Sequence, residues 1–366
     1  MFSLNDKISI RQMQILLIIE IFGAGIIMLP RKAAEYAGQD AWLAIAIATA
    51  MALCAAYLMT SAGRLYPRDS FVSAASRLLS KPAGKFIGVI FTLKLLFNCA
   101  FEIRIFGGIL RQTLLPHTPF AVISGAVIAV SAYAAAKGYE ARARLAQILF
   151  PIIFIPVVFV FLLGLMDVDI TNLAPVFAVK PVNLGVGAMR AVTAFSGLEL
   201  LLLVTPYANR PLSVRRGMTQ TVLVIGAFMM FMTSITIAKF GPDEVSRQMW
   251  PVLEMMDQID LPGSFIERQD ALIMSFWIIS SFAIVNSCLF FSSILLRDVT
   301  GRGSYRLYLL ICLPVVFAVS CLKLDTLQAD RVIDYVFYTF DAGFTIIIPA
   351  ALLIAAALRK GKAAGA

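Results

Sequence analysis

Glu20, Lys94, Asn98, Glu102 and Glu199 stand inside long apolar runs of this chain. A charge at the centre of a bilayer costs about 3 kcal/mol on insertion scales, so such groups need partners or a task. Lys94, Asn98 and Glu102 recur at i+4 spacing and share one broad helix face. Lys94 and Glu102 are then ~12 Å apart along the axis and cannot pair with each other. Glu20 and Glu199 are the candidate partners for Lys94. One of these two acids reaches a solute or a coupling proton while Lys94 holds the helices in register; the competing reading is a purely structural ion network. Ser280, Ser281 and Asn286 lie on another apolar run, where hydroxyls either bond their own helix or complete an oxygen site for Na⁺. Arg104, Arg190 and Asp341 are expected to serve packing or to reach an interface.

The elements that position these groups are broken. Glu20-Ile21-Phe22-Gly23-Ala24-Gly25-Ile26 precedes Pro30, and Phe195-Ser196-Gly197-Leu198-Glu199 precedes Pro206. A spanning helix interrupted by glycine leaves peptide groups bare at membrane depth, which is tolerated where they line a cavity or a bound solute. With the helix resuming near Ile26, the amides of Ala24, Gly25 and Ile26 form an electropositive terminus suited to a carboxylate. The carbonyls left near Phe22 suit an ammonium group or a cation. Phe195, Ser196 and Gly197 supply the second break, and the pair fits an amino acid. The alternative is that the small residues only let helices pack closely.

Composition restricts the class. The chain is 60% hydrophobic and 14% charged, with a mean hydropathy of +0.86, which points to one polytopic membrane domain over residues 1–366. Its five cysteines sit in apolar runs without short-spaced pairs, and His117 lies in a Pro-flanked turn. Neither a metal site, nor a cofactor, nor an enzyme's nucleophile–base set follows.

Ten apolar runs are long enough to cross a ~30 Å hydrocarbon core: about 12–36, 40–62, 86–110, 119–136, 145–165, 186–206, 218–239, 271–296, 305–322 and 337–358. Most of the 31 Lys and Arg residues fall in connections on the side of the N-terminus, so both termini are expected in the cytoplasm. The net charge of +9 then meets the inner leaflet, and no nucleic-acid partner is needed. The expected fold is an all-α integral membrane protein of ten transmembrane helices, a five-plus-five inverted repeat (about 12–165 and 186–358) with discontinuous helices 1 and 6. In such repeats the site lies at the midplane. The longest outer connection carries Met249, Val252, Leu253 and Met256 at helical spacing, which predicts one amphipathic helix over 245–259 resting on the outer face.

Several segments, in order along the chain, resemble the spore germination permease family. They are Ile8-Ser9-Ile10-Arg11-Gln12, Gly23-Ala24-Gly25 with Leu29-Pro30, Ala37-Gly38-Gln39-Asp40-Ala41-Trp42, Leu65-Tyr66-Pro67 and Leu115-Pro116-His117-Thr118-Pro119. Further on come Gly138-Tyr139-Glu140 with Arg142, Leu173-Ala174-Pro175, Phe195-Ser196-Gly197-Leu198-Glu199, and Phe265-Ile266-Glu267-Arg268-Gln269-Asp270 with Trp277. That family comprises the membrane-embedded B subunits of nutrient germinant receptors and is similar in fold to amino acid–polyamine–organocation transporters. The resemblance implies a subunit that works with an A subunit and a lipoprotein C subunit in a cell membrane or spore inner membrane. It implies a small nutrient ligand, typically an amino acid, held at Gly23, Ala24, Gly25, Phe195, Ser196 and Gly197. The other reading of the same fold is a proton-coupled secondary amino acid transporter.

Overall fold

The computed structural model describes residues 7–258, 269–322 and 343–364, with 328, 331, 332, 335, 336, 340 and 341 between them. The motif over 265–268 and the start of the tenth expected span lie outside the described residues in whole or in part. Among the described residues the chain is helical, and the strand-type contact present is a parallel bridge between Ile8 and Ala208. This follows from the composition: without water, backbone groups are satisfied within a helix.

Two helices open the chain, α1 (Ile10–Ile21) and α2 (Ala24–Ala37). Ser9 and Gln12 form a capping box at the start of α1. A 3₁₀ turn at Gly38–Asp40 leads into α3 (Ala41–Gly63). There follow α4 (Phe71–Leu78), the 33-residue α5 (Lys81–Thr113), α6 (Phe120–Ala135) and α7 (Tyr139–Gly164). The second broken segment comprises α8 (Pro181–Ala191), 3₁₀ turns and α9 (Leu201–Val204). Then come α10 (Val214–Phe240), α11 (Pro242–Arg247), α12 (Pro251–Asp257), α13 (Gln269–Thr300), α14 (Tyr305–Ser320) and α15 (Ile348–Ala364).

Five helical stretches are long and apolar enough to cross a membrane, or six if residues 181–195 and 198–207, bent by 53°, form one span. Residues 120–135, 305–320 and 343–359 form shorter apolar helices. The lipid-facing and central helices differ in pattern. On α7, Ile153, Val157 and Phe161 are buried at i+4 spacing, while Ile148, Ile155 and Phe159 are exposed, one apolar face turned outward. On α13, apolar Val285, Leu289 and Phe291 and polar Ser287, Ser292 and Ser293 are all buried, so this helix forms the centre against α5.

The amphipathic helix expected over 245–259 is two helices. Gln248 is extended (φ −65°, ψ 137°) and Pro251 starts a new helix at its first turn. Val245, Val252, Met255 and Met256 are buried against the fold, so this segment is packed rather than laid on a surface. Nearby, the buried Asp40 carboxylate accepts the Phe177 and Val179 amides at 2.9 and 3.1 Å, tying the 37–42 motif to the stretch just past Pro175. Asp169 in the same region accepts the hydroxyl and amide of Thr171, and these bonds hold its carboxyl below the ordinary 3.8.

Candidate functional site

The first break arises where α1 stops. Phe22 (φ −81°, ψ 47°) donates its N–H back to the Ile18 carbonyl, and Gly23 is extended before α2 begins at Ala24. The Phe22 ring is fully buried and stacks on Trp277 with centroids 5.6 Å apart. Its carbonyl accepts the Ser280 hydroxyl at 2.6 Å. The hydroxyl therefore serves a neighbouring helix, neither its own helix nor a bare oxygen site, and the Phe22 carbonyl expected to face a ligand is already occupied.

Helix α2 starts two residues earlier than the sequence suggests. The Ile26 amide donates to Gly23 O at 3.2 Å, so it is not an open donor. By helix geometry the first-turn amides without intrahelical partners are those of Ala24 and Gly25. Gly23 leaves room for its neighbours: a Cβ there would lie 2.7 Å from Ile284 Cδ1 and 3.3 Å from Glu102 Oε2, so those side-chain ends would have to shift.

The second break is built differently. A 3₁₀ turn ends at Phe195, Ser196 is extended, and Gly197 takes φ +98° before a further 3₁₀ turn, Leu198–Leu200. A Cβ on Gly197 would sit 2.8 Å from Glu20 Cγ, so the two breaks touch. Glu199 folds back: its Oε2 accepts the Gly197 amide at 3.0 Å, and its Oε1 takes the Lys94 ammonium.

Lys94 also reaches Asp341 Oδ1 at 2.5 Å, and all three side chains are almost wholly buried. Glu199 is thus the partner of Lys94, and Glu20 is not. Glu20 accepts instead from Arg142 Nη2 at 3.2 Å. Asp341 corrects the sequence reading: it is not at an interface but in the central ion cluster. Arg142, near the start of α7, is 6% exposed, with its guanidinium 5.7 Å from the ring centroids of Tyr139 and Phe291. Arg104 lies over Phe120 and Arg190 over Tyr36, both as packing contacts.

A cavity of about 110 Å³ lies between the breaks. It is lined by Glu20, Gly23, Gly25, Asn98, Glu102, Ser196, Gly197 and Glu199 from the residues singled out in the sequence. Ile26 and Phe195 are buried and do not line it, and Lys94 stands behind Glu199 and Asp341. The sequence reading missed Lys32, Thr193, Ala194 and Asp341 in the wall. The signal available for Asp341 was that one central lysine faced several acids. Chemically the cavity combines a helix-terminal segment, three carboxylates (Glu20, Glu199 and Asp341) held by cations, and a fourth carboxylate, Glu102, lying over the bare α-carbon of Gly23. It therefore has acceptors and donors for a small zwitterion.

The profile of the family described as spore germination protein matches residues 7–329. This chain belongs to the spore germination protein family. It is 26% identical to spore germination protein YndE of Bacillus subtilis (strain 168) over 98% of this chain and 99% of that protein. It is 31% identical to the putative spore germination protein YfkT of the same organism over 67% of this chain and 66% of that one. With spore germination protein GerLB of Bacillus cereus the identity is 24%, over 97% and 96%. Membership gives the chain a role in spore germination, and its apolar helices make it a multi-pass membrane protein of the receptor or permease type.

Proposed function

We propose that this chain is the membrane subunit of a nutrient germinant receptor that binds an amino acid between its two broken helices. The observation that carries the reading is the single cavity bordered by both breaks. The ligand carboxylate meets the amides of Ala24 and Gly25 at the start of α2. Its ammonium meets Glu102, which lines the cavity, whereas Phe22 does not. Ligand in the cavity presses on the walls formed by Gly197 and Glu199, and through Lys94 on the last helix. This movement passes to A and C partner subunits in the spore inner membrane and triggers germination. The architecture behind it is the ten-span, five-plus-five inverted repeat with cytoplasmic termini.

Thermal melting of the purified protein against amino acids, sugars and nucleosides tests this directly. An amino acid raises the melting temperature by mass action, and Gly25→Leu, which fills the cavity, abolishes the rise. A shift that persists in Gly25→Leu moves the site elsewhere. Glu102→Gln should weaken the ligand by about ten-fold or more through loss of a charged hydrogen bond.

A second reading is supported by Glu199 and Asp341 sharing one cation, an arrangement able to carry a proton between them. It makes the chain a proton-coupled amino acid transporter. Uptake by liposomes containing this chain alone would select it over the receptor.

A further inference from the structure

A second, separate groove lies at one end of α5 and α13, away from the central cavity. It measures about 500 Å³ and is lined by Lys81, Lys85, Arg297 and Arg302, with Asp298 as its acid. Asp298 is engaged by Arg297 at 2.7 Å. Lys81, Lys85 and Arg302 have no acidic partner among the described residues, and the hydroxyls of Ser73 and Ser76 line the same wall. The groove stands where one candidate spanning helix, 81–112, begins and another, 277–300, ends, and the ends of spanning helices are where headgroups are met.

Its apolar surroundings are as telling as its charge. Lys81, Lys85, Val89 and Leu93 follow each other at i+4 spacing along α5, and Phe86 lies beside them. Phe86 is 66% exposed and Leu93 60%. One helix face therefore runs from two unpaired cations into an uncovered apolar strip. A soluble anion would use only the first part, and an acidic protein segment would have no use for the strip's direction along the membrane normal.

We propose that this groove is a binding site for an anionic phospholipid of the inner leaflet. The phosphate sits among Lys81, Lys85 and Arg302, with serine hydroxyls as further donors, and an acyl chain lies along Phe86, Val89 and Leu93. Basic pockets between spanning helices hold such headgroups by charge, and each cation near the surface contributes a comparable increment. The site ties lipid charge to the packing of α4, α5 and α13, and it is independent of what the central cavity holds.

The test is thermal melting of the full chain in neutral detergent, titrated separately with phosphatidylglycerol, phosphatidylcholine, inorganic phosphate and polyglutamate. Phosphatidylglycerol is expected to stabilise at low concentration and phosphatidylcholine not to. In Lys81→Gln/Lys85→Gln/Arg302→Gln the half-saturating concentration should rise by roughly a hundred-fold. The charge-conserving Lys81→Arg/Lys85→Arg/Arg302→Lys should bind like the parent chain. Should the triple neutral variant fail to fold, Lys85→Gln alone carries the test, with a rise of about five-fold. An unchanged titration in the neutral variants overturns the site. Stabilisation by inorganic phosphate or polyglutamate equal to that by phosphatidylglycerol overturns the lipid assignment.

Discussion

The two breaks carry similar sequence signals, yet they end in opposite chemical states. At the second, Glu199 returns to cap the Gly197 amide and draws Lys94 and Asp341 into the same knot. At the first, Ser280 bonds the carbonyl end, while Gly25 at the amide end lines the cavity. One discontinuity is satisfied by the protein's own side chains, and the other retains donors for something else. Similar sequence signals need not make similar sites: one acid two residues beyond a glycine is enough to tie a break to the protein's own side chains.

Substitution at the brace should have the largest effect. Lys94→Met leaves Glu199 and Asp341 buried without their cation, and the expected loss is about 3–5 kcal/mol of stability. Adding Glu199→Gln and Asp341→Asn to Lys94→Met should recover much of it, as measured by melting in detergent. If Lys94→Met melts like the parent, the second break is not held by charge. Next in size is the glycine pair. Gly197→Ala forces a side chain into φ +98° and against Glu20, at a cost of about 1–3 kcal/mol. Gly25→Ala meets nothing nearer than 3.9 Å and should change stability by no more than ~0.5 kcal/mol. Equal losses at both positions would erase the distinction between the breaks.

Ser280→Ala tests the closed end of the first break. It bares the Phe22 carbonyl and should cost about 1–3 kcal/mol, with the gap narrowing when an added cation or ligand takes the vacated position. The smallest effect is expected outside the membrane. The Asp169 carboxyl is held below its ordinary 3.8 by Thr171, so it favours the folded state when ionised. That contribution is present above about pH 4 and fades as pH falls through the folded value below it. Asp169→Asn should remove this acid-limb dependence from the melting curve and leave the neutral-pH behaviour of the cavity unchanged.

Much of the site was readable from residue type and period. Glycines beside acids in apolar runs marked both breaks, and the i+4 row on α5 put Asn98 and Glu102 on the cavity wall. What escaped depends on helix rotation and on where chain segments cross. Lys94 needed a partner, but no linear pattern says that Asp341, ahead of the last helix, turns toward it. Nor does any linear pattern pair Arg142 with Glu20, 122 residues away, or bring the aromatic rings of Tyr139 and Phe291 around its guanidinium. The helix start was placed two residues late, at Ile26, because the chain turns at Gly23 and already resumes at Ala24. The outer segment split because Pro251 starts a helix better than it continues one.

The parallel bridge near the N-terminus has a mechanical corollary. Ile8 donates to Tyr207 O and accepts from Asn209, and Lys7 reaches Pro206 O, so the root of α1 is sewn to the stretch just past α9. The two half-helices on that side of the breaks cannot swing separately. Any rocking at Gly23 must be matched at Ser196–Gly197, which yokes the two hinges into a single lever.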